Sequence, residues 1–157
     1  MAYRFHKFSS NFTNKHSAMG FTKYVLPVVV GSMSGMMLII FGEMAIHHLY
    51  PLPNGTDLYD VDSVAKYIAQ LPLNAFILLL LNYSICSFFA GLAATLLSKR
   101  ITTTPPLVVG AVLTLAGLYN VINLPQPLWF SILNLLVYLP FVYLGYLVVR
   151  IRPVSPE

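Results

Sequence analysis

Four long apolar segments divide the chain, and they restrict it to folds that cross a membrane. We place these spans at residues 24–49, 73–97, 106–124 and 128–149. Each has roughly 18–25 residues, which is enough to cross a hydrocarbon core of about 30 Å as a helix. Helices are required because backbone groups in lipid must be satisfied within their own segment. Only 9% of the residues are charged, whereas soluble domains have roughly 25%. So few charged residues cannot cover a water-facing surface.

The predicted fold is all-α, a four-helix transmembrane bundle with a short amphipathic helix in the outer loop between spans 1 and 2. Asp60 or Asp62 can cap this short helix, which we expect to end near Gln70. Its apolar residues recur at i, i+3, i+7 and i+10, so they share one face. That face can lie on the membrane surface or cover the mouth of the bundle. The residues concerned are Val61, Val64, Ile68 and Leu71.

The Lys and Arg residues are concentrated on one side of the predicted bundle. The tail of residues 1–23 has four, the loop between spans 2 and 3 has two, and the tail of residues 150–157 has two. The other side has only Lys66. The four spans form one membrane domain, residues 24–149, between two tails. The positive-inside rule predicts that both tails are cytoplasmic. The net charge of the chain is +4, but its basic residues flank the apolar spans and form no patch. We therefore expect the lipid bilayer as the partner and no nucleic acid.

Glu43 is the only acidic residue of the first span, and His47 follows it one helical turn later. A carboxylate inside hydrocarbon is costly unless it is paired, protonated or wetted, so it indicates a functional site. At about 100° per residue, Glu43, His47 and Tyr50 share one face of the helix. We expect four amide side chains at the same outer level of the bundle. They are Asn74, Asn120, Asn123 and Gln126.

Three interpretations of this polar cluster remain open. The first is a structural network that orients the helices, with Glu43 paired to His47 or protonated. The second is a pocket for a small ligand, a lipid headgroup or a proton-coupled substrate, because neighbouring carboxylate and imidazole groups alter each other's protonation. The third is a metal-dependent membrane enzyme in which Glu43 and His47 are two ligands of a divalent metal and a third comes from the loop.

We favour a non-catalytic binding or structural protein with a polar pocket near the outer face, and no cofactor is predicted. A small proton-coupled transporter and a metal-dependent enzyme are the alternatives. Glu-x3-His lacks the second histidine of the His-Glu-x-x-His zinc helix, so the metal signal is weak.

Small residues recur at helical spacing in every span and predict faces of close helix contact. Lipid tails are as apolar as leucine, so such faces and hydrogen bonds hold membrane helices together. Gly31 and Gly35 form a Gly-x3-Gly pair in the first span. We expect this pair to pack against another helix of the same chain, and a homodimer through Gly31 and Gly35 is the alternative.

Several motifs together resemble a group of small uncharacterised bacterial four-span membrane proteins. The matching string runs from Glu43-x3-His47-x2-Tyr50-Pro51-x-Pro53 through Asp57, Asp60 and Tyr67-Ile68-x3-Pro72 to Pro125-Gln126-Pro127-Leu128-Trp129. The group often has histidine where this chain has Gln126, which argues against a metal site. The resemblance covers Gly31 to Tyr146. It implies a bacterial inner membrane and a polar cluster at the outer face, and it brings no known activity.

Overall fold

The computed structural model describes residues 24–53, 60–98 and 102–151, and within these ranges the chain is helical with no strands. Four of the helices are long and apolar enough to cross a membrane. The chain is therefore a multi-pass membrane protein, and the predicted fold class is confirmed. The five helices of these ranges are α1 (Leu26–Leu49), α2 (Val61–Gln70), α3 (Leu73–Leu97), α4 (Thr104–Asn123) and α5 (Leu128–Ile151).

The helix bounds differ from the predicted spans by no more than two residues. α4 begins at Thr104, before the predicted start at residue 106, because Pro105 and Pro106 fit in the first turn of a helix. The tails of residues 1–23 and 152–157 lie outside the described residues, as do Lys99 and Arg100. The orientation that these basic residues predict therefore remains a prediction.

α3 and α5 approach each other so closely that glycine is required on both helices. A Cβ on Gly91 would collide with the backbone carbonyl of Val142, and a Cβ on Gly145 would collide with the backbone carbonyl of Phe88. The two glycines thus bring two backbones into direct contact, in the manner of close-packed membrane helices.

Gly31 and Gly35 pack within the same chain. A Cβ on Gly31 would lie 2.8 Å from the Cβ of Ala94, and one on Gly35 would lie 2.8 Å from the Cβ of Ala90. The pair therefore joins α1 to α3, as expected if it packs against another helix of the same chain. A homodimer through the same glycines is a prediction that these contacts do not test.

α2 is amphipathic and covers one end of the bundle. Ile68 on α2 and Leu71 just beyond it pack against the hydrophobic core. α1 and α4 end, and α3 and α5 begin, around the cavity that α2 also lines. We call this end of the bundle the α2 end.

Asp60 is the N-cap of α2, one of the two caps that the sequence predicts. Its carboxylate accepts hydrogen bonds from the backbone N–H of Ser63 (3.1 Å) and, at longer range, of Asp62 (3.4 Å). The Ser63 hydroxyl also donates to it at 2.7 Å. The bonds from Ser63 lower the pKa of Asp60 below its ordinary value of 3.8. The cap therefore stabilises α2 above pH 3.8, and this contribution is lost as the pH falls through the lower pKa of the folded state.

We expect Asp60→Ala to lower the hydrogen-exchange protection of α2 at about pH 7 and to leave α3 unchanged, because the first amides of α2 lose their acceptor. In the wild type, protection of α2 should fall towards that of the variant as the pH drops well below 3.8. Asp62→Ala is the matched control, because Asp62 is also in the first turn but its backbone, not its side chain, takes part in the cap. Equal protection of α2 in Asp60→Ala and Asp62→Ala would contradict the assignment.

Candidate functional site

A cavity of about 330 Å³ lies at the α2 end, between α2 and the ends of the four spans. Its size falls at the lower end of the roughly 300–1,000 Å³ typical of small-molecule sites. Most of its wall is aliphatic or phenyl. The polar side chains in the wall are Glu43, His47, Tyr50, Tyr67, Tyr83, Asn120 and Gln126.

The Glu43 carboxylate is held by a tyrosine from the neighbouring span. The hydroxyl of Tyr83 on α3 donates to Oε1 of Glu43 at 2.8 Å. Tyr83 is only 6% exposed, so packing restricts its ring although it also lines the cavity. This hydrogen bond satisfies one carboxylate oxygen of Glu43, and the residue lines the cavity.

A second tyrosine supports the first. The ring of Tyr138 on α5 packs against the ring of Tyr83, with centroids 6.0 Å apart. The hydroxyl of Tyr138 donates to Oδ1 of Asn134 at 2.7 Å in the buried interior. Gly117 on α4 makes room for this ring, because a Cβ there would lie 2.5 Å from Cε2 of Tyr138. The partner of Glu43 is therefore held in place by packed residues from α3, α4 and α5.

Tyr67 connects α2 to the end of α1. Its hydroxyl donates to the backbone carbonyl of Tyr50 at 2.8 Å. Its ring stacks on the imidazole of His47, with centroids 6.5 Å apart and planes inclined by 25°. Burial raises the pKa of Tyr67 above its ordinary value of 10.0, so the hydroxyl remains a donor at neutral pH. Through these contacts α2 is positioned over the cavity beside Glu43.

Gln126 brings a buried acceptor without a partner. Its Nε2 faces the backbone carbonyl of Asn120 at 3.5 Å, and because a carbonyl can only accept, this contact fixes the orientation of the amide. Its Oε1 is buried and has no hydrogen-bond partner in the described part of the chain. Because this oxygen is inaccessible to water, it does not face the open space of the cavity.

Five of the seven residues that the sequence proposed for a site line the cavity, and two do not. Asn74 is exposed and lies on the opposite face of α3 from Ala75, Phe76, Leu79 and Tyr83, which line the wall. Asn123 is exposed and donates to the carbonyl of Tyr119 in its own helix at 2.7 Å. Their predicted depth in the membrane gave no information about the face they occupy.

Sequence reasoning missed Tyr83, which is the partner of Glu43. The signal was available, since Tyr83 precedes Ser87 and Gly91 at steps of four residues and so shares their close-packed face.

The described residues contain no ion pair between Glu43 and His47.

The described residues bring together no three His, Cys, Asp or Glu side chains that could hold a metal ion. Glu43 and His47 are both present at the cavity, but the loop that was to supply a third ligand includes Asp57, which lies outside the described residues. The metal interpretation therefore has no geometric support in residues 24–53, 60–98 and 102–151.

Comparisons with models of known protein families, with curated proteins and with solved structures found no match. The class defined by the fold is that of multi-pass helical membrane proteins.

Proposed function

We propose that this protein is a non-catalytic membrane protein that binds a small ligand in the cavity at the α2 end. The observation that carries the proposal is an apolar cavity with the Glu43 carboxylate in its wall, fixed there by the buried Tyr83. Largely apolar walls with a few convergent polar groups are typical of small-molecule sites.

The open space beside Glu43 favours binding over a purely structural role. In a purely structural network, both carboxylate oxygens would bond to packed partners, because native interiors are close-packed and their buried polar atoms are hydrogen-bonded. Here, one oxygen of Glu43 is bonded and about 330 Å³ of space adjoins it.

We further propose that the α2 end faces the outside of a bacterial inner membrane and that both termini are cytoplasmic. The distribution of Lys and Arg supports this orientation, since Arg150 lies in the last turn of α5 at the far side and eight of the nine basic residues belong to that side of the sequence. The ligand would then reach the cavity from outside the cell or from the outer leaflet.

The test is to fill the cavity without changing the bundle. Val64 lies on the inner side of α2 and lines the cavity, so Val64→Phe should place a phenyl ring in the space. Ala69→Phe is the matched control, because it adds the same ring on the exposed side of the same helix. We expect native mass spectrometry to find a small molecule on the wild type and on Ala69→Phe, after incubation with extract of the expressing cells, and to find none on Val64→Phe.

The proposal fails if all three proteins retain the same molecules, or if the wild type retains none. Circular dichroism should give equal helix content in the three proteins, so that loss of the ligand reflects the filled cavity.

A further inference from the structure

The Glu43 carboxylate is the one anionic hydrogen-bond acceptor that the described residues present to the cavity. Two tyrosine donors in the wall are already used, since Tyr67 donates to the carbonyl of Tyr50 and Tyr83 donates to Glu43. The wall also contains groups that can donate, namely the hydroxyl of Tyr50, the imidazole of His47 and the amide of Asn120. The second carboxylate oxygen of Glu43 can only accept, so a ligand that bonds to it must donate.

The charge of the wall points in the same direction. Among the described residues, Glu43 is the only Asp or Glu side chain that lines the cavity, no Lys or Arg lines it, and His47 is the one histidine in its wall. An anionic ligand would be placed beside the Glu43 carboxylate and would be repelled. A cation would be attracted by Glu43, and aromatic side chains, which can also attract cations, line the same cavity, including Tyr50 and Phe76.

The remaining wall selects for an apolar body. Four of its apolar lining residues are Phe76, Phe130, Leu79 and Ile68. A ring or short alkyl chain in this space would lose its contact with water, which is favourable in proportion to the apolar area that is buried. At about 330 Å³, the cavity can hold one small molecule of this kind.

We propose that the ligand is a small amphipathic amine whose ammonium group donates to the Glu43 carboxylate and whose apolar body lies against Phe76 and Phe130. This inference rests on the proposed function. The ammonium group could belong to a free organic amine or to an aminolipid headgroup, because both present the same chemistry to Glu43.

The chain carries its own reporter for the test. Trp129 is the only tryptophan, and its ring contacts the ring of Phe76 edge-on, with centroids 5.7 Å apart. Its ring also contacts Phe130, at 5.9 Å. Both phenylalanines line the cavity, so tryptophan fluorescence should change when a ligand occupies it.

The experiment titrates the full chain in dodecyl maltoside micelles, which carry neither charge nor ammonium groups, with three water-soluble probes of similar shape: 2-phenylethylamine, 2-phenylethanol and phenylacetate. We expect the amine to bind at least about tenfold more tightly than the alcohol, because a charge-assisted hydrogen bond replaces a neutral one. Phenylacetate should not saturate. In Glu43→Gln, which keeps the shape and the acceptor for Tyr83, the difference between amine and alcohol should disappear.

The outcomes separate the ligand class from the proposed function. If the amine and the alcohol bind the wild type equally, and Val64→Phe blocks both, the cavity binds ligands and the inference of an amine is overturned. If Val64→Phe and Ala69→Phe both respond to the probes as the wild type does, the cavity is not the binding site and both proposals fail.

A second arm identifies the source of the ammonium group. With phosphatidylethanolamine added to the micelles, which leaves their net charge at zero, weaker apparent binding of 2-phenylethylamine would identify the ligand as the lipid headgroup. Unchanged binding would identify it as a free amine. Either result supports an ammonium group at Glu43 only if Glu43→Gln removes the preference for the amine probe, and a preference that survives in Glu43→Gln overturns the inference.

Discussion

Gly145→Ala is expected to destabilise the bundle by about 2–3 kcal/mol, at the upper end of the range for overpacking. The new methyl group would meet the backbone of α3, at the carbonyl of Phe88 and at 2.7 Å from the nitrogen of Leu92. Backbone atoms cannot rotate away, so α3 and α5 must separate. Unfolding in increasing concentrations of dodecyl sulfate measures the change in free energy.

Gly110→Ala is the matched control for this prediction. A Cβ at Gly110 would lie 2.8 Å from Cδ2 of Leu139, but the next atoms are 3.6 Å away and belong to the same residue. Because the end of a leucine side chain can change rotamer, we expect a change of less than about 1 kcal/mol, partly offset by the better helix propensity of alanine. Equal effects of the two substitutions would contradict the close approach of the α3 and α5 backbones.

Tyr83→Phe should be the most destabilising removal of a single hydroxyl at the site. Interhelical hydrogen bonds in membrane proteins contribute about 0.6 kcal/mol on average and up to about 1.7 kcal/mol. The bond to Glu43 involves a carboxylate and a buried donor, so we expect a loss near the upper value, about 1.5 kcal/mol. The same dodecyl sulfate titration measures it.

Tyr143→Phe is the control for Tyr83→Phe, because Tyr143 is on α5 with its side chain 41% exposed. We expect a change of less than about 0.5 kcal/mol there. A double-mutant cycle with Glu43→Ala should give a coupling energy similar to the loss in Tyr83→Phe. Additive effects in this cycle would mean that the Tyr83 hydroxyl stabilises something other than Glu43.

The helices were predictable because each depends on a local property of the sequence. The spans follow from the length of the apolar segments, and α2 follows from Asp60 and an apolar residue at every third or fourth position. Even the use of Pro105 and Pro106 in the first turn of α4 shifted the boundary by only two residues.

The site was only partly predictable, because it depends on which helix faces which. Glu43 stood out as a charge in an apolar segment, but its partner Tyr83 lies 40 residues away, in a span where aromatic residues are common. Asn74 shows the opposite error, since its depth is suitable but its face is not. Periodicity gives the faces of single helices, and the pairing of faces requires the packed bundle.

The cavity itself could not be derived from residue types. It exists because α2 is held over the ends of the spans by Tyr67 and Ile68, while the space beneath is not filled by side chains. A sequence pattern identifies the amphipathic helix, but the volume below it depends on the height at which that helix rests.

The most direct test of the account observes the Glu43 carboxyl group itself while a ligand binds. The chain has only two glutamates, Glu43 and Glu157, so labelling glutamate with ¹³C at the side-chain carboxyl gives two signals, and Glu43→Gln assigns them. We predict that 2-phenylethylamine shifts the Glu43 signal of the wild type to saturation, leaves the Glu157 signal unmoved, and has no effect on Glu43 in Val64→Phe. A Glu43 signal that stays fixed while Trp129 fluorescence reports binding, or two signals that drift together, would contradict a ligand site at this carboxylate.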